Sequence, residues 1–281
     1  AYAAWWLLRV PCTVAFGELV DTMIDTKAPW TEFPSEPETR NGWLEIADKS
    51  TGNYRDLWRA TVAEMKSMLI SVQESLTQGA LADDHETMEE LGALGRSKGA
   101  GTVSAAIAIY LMSRYAAQPV QGVLRAAFTL GSDTDTNAAM TGGLLGCLAG
   151  SDWLPNDWFE LQDLDYLKQL AIQLASGRAV ERKKSDHITA KTTEGLIQAL
   201  RAGDQHEFSL PGGPSLQLLA HSQMSPFSPS TIAERWTLRT QDQQTLYVTK
   251  LGRKSKLEAV LNEEASAASQ SCILPRACFA G

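Results

Sequence analysis

The polar hexapeptide Gly-Ser-Asp-Thr-Asp-Thr at residues 131–136 separates two helical segments, and it constrains the fold more than any other feature of the sequence. Before it, over residues 120–130, apolar residues recur at helical spacing. After it, residues 137–149 are mostly apolar and rich in glycine and alanine. Because small residues let backbones approach closely, we expect this second helix to lie in a crowded interior. The pattern predicts a helical domain with a polar turn between two of its helices.

Helical periodicity extends over most of the chain before residue 204. It predicts helices over residues 1–24, with Pro11 starting or kinking one of them, and over 56–78, 84–94, 102–117, 157–176 and 188–202. The helix over 102–117 is apolar nearly all round and is therefore expected to be buried. The leucines of the helix over 157–176 are expected to face inward. Residues 28–42 contain three prolines and are predicted as a loop.

Beyond residue 204 the sequence is richer in β-forming residues. Residues 235–240 and 245–250 alternate in polarity, and the four polar residues between them have a length typical of a hairpin. The net charge also changes, from −9 over residues 1–200 to +1 over residues 201–281. We therefore predict a mainly α fold, in which a helical domain at residues 1–204 is followed by a small C-terminal β-rich appendage at residues 205–281.

Composition argues against several classes of protein. The chain has 281 residues and a net charge of −8, which disfavours a nucleic-acid-binding protein because such proteins carry basic surfaces. The four cysteines are too few and too scattered for a disulfide framework, and they lack the spacing of zinc ligands. No segment reaches the ~20 apolar residues of a membrane-spanning helix. We expect a soluble, cytoplasmic protein with no membrane partner.

The residue types of the hexapeptide support two interpretations. Asp and Thr are preferred at helix N-caps, and acidic residues are favoured at the positive end of the helix dipole, so the segment is typical of a capped helix start. Carboxylate and hydroxyl oxygens are also hard ligands that suit Mg²⁺ or Mn²⁺. Residue types and spacing alone leave capping and metal binding as open alternatives.

The surroundings of the hexapeptide carry a family resemblance. Residues 128–150 read Phe-Thr-Leu-Gly-Ser-Asp-Thr-Asp-Thr-Asn-Ala-Ala-Met-Thr-Gly-Gly-Leu-Leu-Gly-Cys-Leu-Ala-Gly, and Leu154-Pro155 and Trp158 follow. An apolar helix after Gly99-Ala100-Gly101 precedes them. This order resembles the ADP-ribosylglycohydrolase family, which includes the dinitrogenase-reductase-activating glycohydrolases and the mono-ADP-ribosyl hydrolases. The clear resemblance covers about residues 97–175.

The resemblance implies a helical fold, a two-ion Mg²⁺ or Mn²⁺ site and a hydrolase activity. It makes Asp133, Asp135 and Thr136 metal ligands, while Thr134 caps or orients the turn. Ser132 stands where the family often has glycine, and its hydroxyl either contacts the ligand or caps the helix. The implied reaction removes ADP-ribose from a modified protein, nucleic acid or small molecule by cleaving the bond at C1″ of the ribose. The implied partner is therefore an ADP-ribosylated substrate, and nucleic acid is expected only as such a substrate.

The sequence also departs from the family pattern. The family's first-half Thr-Asp-Asp-Thr and Gly-Asn-Gly segments do not occur, and Asp83 and Asp84 are interpreted as a solvated helix start rather than metal ligands. The catalytic base therefore stays unassigned. Because the chain starts inside an apolar stretch without methionine, we expect the reading frame to continue upstream of Ala1 and the first half of the domain to be missing.

Two alternatives to an enzyme follow from these departures. One is a non-catalytic family member that binds ADP-ribose or a partner after losing the first half of the metal site. The other is a scaffold in which the hexapeptide only caps a helix.

Overall fold

The computed structural model describes residues 1–10, 14–25, 27–34, 42–177, 190–203, 207–209, 215–224 and 231–253. The chain packs into two compact units, Ala1–Asn156 and Asp157–Gly281. The first unit is helical, and the second combines helices with an antiparallel sheet. The predicted mainly α fold with a C-terminal β-rich appendage is therefore confirmed.

Eight α-helices make up the described part of the first unit. They are α1 (Tyr2–Leu7), α2 (Glu18–Ile24), α3 (Trp43–Thr51), α4 (Tyr54–Thr77), α5 (Asp84–Glu90), α6 (Gly101–Tyr115), α7 (Pro119–Phe128) and α8 (Thr134–Ala149). Pro11 lies outside the described residues. Helix α3 and a short 3-10 turn at Pro29–Thr31 were not predicted. None of the helices in the described ranges is long and apolar enough to cross a membrane.

Helix α6 lies at the centre of the first unit. Ten of its side chains between Val103 and Ser113 are buried. This confirms the prediction from a sequence that is apolar nearly all round the helix. Leu69 and Val72 of α4 and Leu145 of α8 belong to the same core and are fully buried. Helix α4 has one apolar side that packs into this core, because its apolar residues repeat every three or four positions. Asn53 caps the first turn of α4 by accepting a hydrogen bond from the Asp56 amide.

Helix α8 is less crowded than its small residues predicted. Asn137, Thr141 and Leu145 form its single buried stripe. A Cβ atom added at Gly143 would meet no heavy atom within 4 Å among the described residues. The expectation of a crowded interior is thus wrong for the side of α8 that lies opposite its buried stripe. The close approach lies instead at Gly122 of α7, where an added Cβ would come 3.0 Å from the Tyr115 Cβ.

The second unit contains two helices and four strands within the described residues. They are α9 (Leu164–Ala175), α10 (Ala190–Ala202), β1 (Glu207–Ser209), β2 (Ser215–Met224), β3 (Thr231–Thr240) and β4 (Thr245–Arg253). The strands form one antiparallel sheet in the order β1-β2-β3-β4. Its core joins α10 to one sheet face through Ile197, Leu200, Phe208, Leu216, Trp236 and Leu238.

Two predictions for the second unit have opposite outcomes. The β3–β4 hairpin is confirmed, with Arg239 paired to Thr245 across the turn and the Thr240 amide donating to the Gln244 carbonyl at 2.9 Å. The inward-facing leucines of the helix over 157–176 are not found. Helix α9 is shorter than predicted, none of its residues is buried, and Leu174 is 74% exposed. The predicted boundary near residue 204 lies outside the described residues and stays a prediction.

Candidate functional site

The polar hexapeptide forms the turn between α7 and α8. Gly131 adopts a φ of 88°, in the left-handed region that favours glycine. The amide and the hydroxyl of Ser132 both donate to the Thr129 carbonyl, at 3.2 and 2.9 Å, and so satisfy an acceptor at the end of α7. The Ser132 hydroxyl therefore has a capping partner, and its remaining lone pairs are open to a ligand.

Asp133 is the N-cap residue of α8, but its carboxylate does not cap the helix. Its backbone carbonyl accepts the first helical hydrogen bond from the Asn137 amide at 3.0 Å. Its side chain makes no hydrogen bond to the first-turn amides. An Asp at this position usually stabilises the helix start by accepting from those amides. The carboxylate of Asp133 is thus available for another role.

Asp135 lies two residues further on, in the first turn of α8. Its pKa is lowered from the ordinary aspartate value, first by a hydrogen bond with the Asp133 carboxyl, then by the Thr136 amide and its own amide. The two acidic side chains therefore lie close enough to interact. The side chain of Thr136, the next residue, is exposed. The family resemblance implies these three residues as metal ligands, and we call them the oxygen cluster.

The loop before α6 borders this cluster. A Cβ atom added at Gly99 would lie 3.6 Å from the Asp133 Oδ2 atom, so glycine leaves the space beside that carboxylate open. The Lys98 Nζ atom donates to the Gly131 carbonyl at 3.0 Å and holds the turn against the loop. Sequence reasoning did not assign Lys98 to the site. The one available signal was the Gly-Ala-Gly segment at residues 99–101.

The other acidic pair has a different role. Asp83 caps α5 by accepting from the His85 and Glu86 amides, as a helix start should. Asp84 is only 11% exposed and is not solvated, which corrects the prediction. Its oxygens are taken by partners from α6 and α7: the Tyr110 and Tyr115 hydroxyls and the guanidinium groups of Arg114 and Arg125. With both oxygens occupied, Asp84 holds these helices together.

One side of α8 lines an apolar groove. Thr136, Met140, Gly143 and Cys147 follow one another at helical spacing, and the last three line a cavity of about 790 Å³ between α1, α4, α6 and α8. Trp30 and Trp58 also line this cavity. The groove therefore begins one helical turn after the oxygen cluster.

The oxygen cluster is small for a metal centre. Among the residues that the structure describes, no three His, Cys, Asp or Glu side chains come together. Asp133, Asp135 and Thr136 thus supply two carboxylates and one hydroxyl.

The family comparison covers the segment that contains this site. The family model described as ADP-ribosylglycohydrolase matches residues 11–184, more than half of the chain, and that range contains the whole α7–α8 turn. The chain belongs to the ADP-ribosylglycohydrolase family. Membership implies hydrolase activity of the ADP-ribosylglycohydrolase type at the level of the family. No curated protein and no solved structure matches the chain.

Proposed function

We propose that this chain provides the metal-binding turn of a metal-dependent hydrolase that removes ADP-ribose from a modified protein, nucleic acid or small molecule. The observation that carries the proposal is the Asp133 carboxylate, which occupies an N-cap position without capping the helix.

The donor set suits Mg²⁺ or Mn²⁺. Both ions prefer oxygen ligands, and one or two protein carboxylates with several waters are a usual coordination for Mg²⁺. Two carboxylates held next to each other repel, and a divalent cation between them relieves that repulsion. Asp133 and Asp135 would hold the metal through their carboxylates and Thr136 through its hydroxyl. The remaining positions are open to water, substrate or further protein ligands.

When bound, the metal pair expected for this family supplies an activated water and a template for the ribose hydroxyls. The protein's own residues do the rest. Gly99 leaves room beside Asp133, and Lys98 fixes the turn through the Gly131 carbonyl. The α8 N-terminus contributes a positive dipole end that favours the phosphates of ADP-ribose. In the reaction, the water oxygen bonds to C1″, the bond to the acceptor breaks, and the acceptor leaves with a proton.

The test is a Mn²⁺ titration of the full chain, followed by electron paramagnetic resonance. Asp133→Asn and Asp135→Asn should each weaken Mn²⁺ binding by about ten- to a hundredfold or more, since each removes a charged ligand. Asp165→Asn is the matched control, because Asp165 is an exposed acid in the first turn of another helix, α9. If all three variants bind Mn²⁺ as the unmodified chain does, the turn is not a metal site.

A second candidate function is non-catalytic binding of ADP-ribose or a partner. It is favoured by the presence of only two carboxylates in the cluster formed by the described residues. The two functions are distinguished by adding ADP-ribosylated protein and Mn²⁺ to the chain. Release of free ADP-ribose supports hydrolysis, whereas ADP-ribose binding without release supports the second function.

A further inference from the structure

The sheet of the second unit has one face that α10 does not cover. Strand alternation places Trp236 and Leu238 towards α10, so Arg235 and Arg239, which flank them in β3, lie on the opposite face. The pairing of β3 with β4 puts Tyr247 and Arg253 on that same face. We call these four residues the arginine face. It is independent of the α7–α8 turn.

The two central arginines of this face lack partners for part of their donors. The Nε atoms of Arg235 and Arg239 are buried and have no hydrogen-bond acceptor among the described residues. Neither guanidinium forms an ion pair with a carboxylate there. Partly desolvated cationic donors without acceptors are unfavourable, and an anion from outside the protein would satisfy them.

Few acidic groups oppose such an anion. Asp163 lies near Arg239, which contributes to the lowered pKa of that aspartate. Its two carboxylate oxygens are already bound by the Thr245 amide and hydroxyl, at 2.8 and 2.6 Å. Glu207 lies on the edge strand β1, at the far side of β2 from the arginines. The hydrogen bonds from Thr245 favour the ionised form of Asp163, so Arg235, Arg239 and Asp163 together leave one net positive charge at the centre of the face.

Tyr247 adds an aromatic surface to this charge. Its side chain is 50% exposed, and the Arg235 guanidinium carbon lies 5.2 Å from its ring centroid. Its hydroxyl donates to the Gln162 Oε1 atom at 2.6 Å, which fixes the orientation of the ring. A half-exposed ring held beside a guanidinium is the arrangement on which proteins stack unpaired bases.

We propose that the arginine face binds single-stranded nucleic acid. The guanidinium groups of Arg235, Arg239 and Arg253 contact backbone phosphates, and one base stacks on Tyr247. Arg235 and Arg239 are four residues apart on one strand, about 13 Å, so they engage separate phosphates of an extended strand. An acidic peptide would satisfy the charges but would have no use for the fixed ring. The net charge of −8 disfavours contact elsewhere on the chain.

The test measures fluorescence anisotropy of a labelled oligothymidine of about 12 nucleotides with the full chain. Binding should weaken with salt, with a slope of log K against log salt of about −0.7 for each phosphate contacted. Arg235→Ala with Arg239→Ala should weaken binding at least about tenfold and reduce the slope by about 1.4. Tyr247→Leu should weaken binding about tenfold with an unchanged slope.

The matched control removes two positive charges elsewhere. Lys49 and Arg59 are 73% and 76% exposed on the first unit, and Lys49→Ala with Arg59→Ala should leave the affinity unchanged. Arg253→Ala changes only an exposed residue and should reduce the slope by about 0.7, so the proposal stays testable if the double arginine variant does not fold.

Three results would overturn the proposal. The first is that the unmodified chain fails to bind the oligonucleotide. The second is that the double arginine variant, shown by circular dichroism to be folded, binds the oligonucleotide as well as the unmodified chain does. The third is that a poly-glutamate peptide of matched charge binds as tightly as the oligonucleotide and that Tyr247→Leu changes the affinity for neither of them, which would assign the face to an acidic protein.

Discussion

Replacing Asp84 with alanine should destabilise the first unit strongly. Asp84 is 11% exposed, and four donors converge on it from α6 and α7. Its removal leaves the Arg114 guanidinium, itself 15% exposed, without its carboxylate. It also leaves the Tyr110 and Tyr115 hydroxyls without their acceptor.

The expected loss is about 3 to 5 kcal/mol in the free energy of unfolding, the range for removing one member of a buried ion pair. Two features keep it from being larger. Arg125 is 60% exposed, so its pairing with Asp84 is screened by water and contributes little. Arg114 also keeps two backbone acceptors, the Gly79 and Ala82 carbonyls, at 2.8 and 2.7 Å.

The assay is urea denaturation followed by far-ultraviolet circular dichroism, with Asp83→Ala as the control. Asp83 is the neighbouring residue and carries the same charge, but it only caps α5, so its replacement should lower the free energy of unfolding by about 1 kcal/mol. If the two variants lose the same stability, the buried network around Asp84 does not hold the helices together and the reasoning is refuted.

Three further predictions concern packing, pH and the second unit. Gly122→Ala should destabilise the chain by about 1 to 3 kcal/mol in thermal unfolding, because the new Cβ would meet the Tyr115 Cβ at 3.0 Å. Burial raises the pKa of Tyr110. The neutral hydroxyl therefore contributes stability below about pH 10, and this contribution should be lost as the pH rises through the folded-state pKa. Tyr110→Phe should remove that part of the pH dependence. Glu234→Ala should increase hydrogen exchange in β2–β4, because it leaves the Arg201 guanidinium without its buried carboxylate, a loss of about 3 to 5 kcal/mol.

Each of these three predictions has a control measurement that isolates its physical cause. Gly143→Ala places a methyl group where no heavy atom of the described residues lies within 4 Å and should stabilise α8 by about 1 kcal/mol, so equal effects at the two glycines would contradict the packing argument. If the stability of Tyr110→Phe depends on alkaline pH as that of the unmodified chain does, groups other than Tyr110 cause that dependence and the prediction is wrong. Glu194→Ala breaks an exposed pair with Lys250 at 3.4 Å and should leave exchange in the sheet nearly unchanged.

Local patterns in the sequence predicted much of the fold. The helices α4 to α8, the hairpin between β3 and β4 and the position of the polar turn all follow from periodicity and turn chemistry, which act over a few residues. The order of motifs around the turn indicated the family, and the match over residues 11–184 confirmed it. Asp133, Asp135 and Thr136 stay predicted metal ligands.

Burial was decided by the tertiary structure, because it depends on which elements meet and not on the residues alone. The sequence predicted that Asp84 is a surface acid, but in the tertiary structure two tyrosines and two arginines from other helices surround it. The periodicity of α9 predicted that its leucines lie in a core, but Leu167, Leu170 and Leu174 are exposed. The sequence left open whether Asp133 caps its helix. The side-chain conformation answered that question, because the carboxylate makes no hydrogen bond to the first-turn amides.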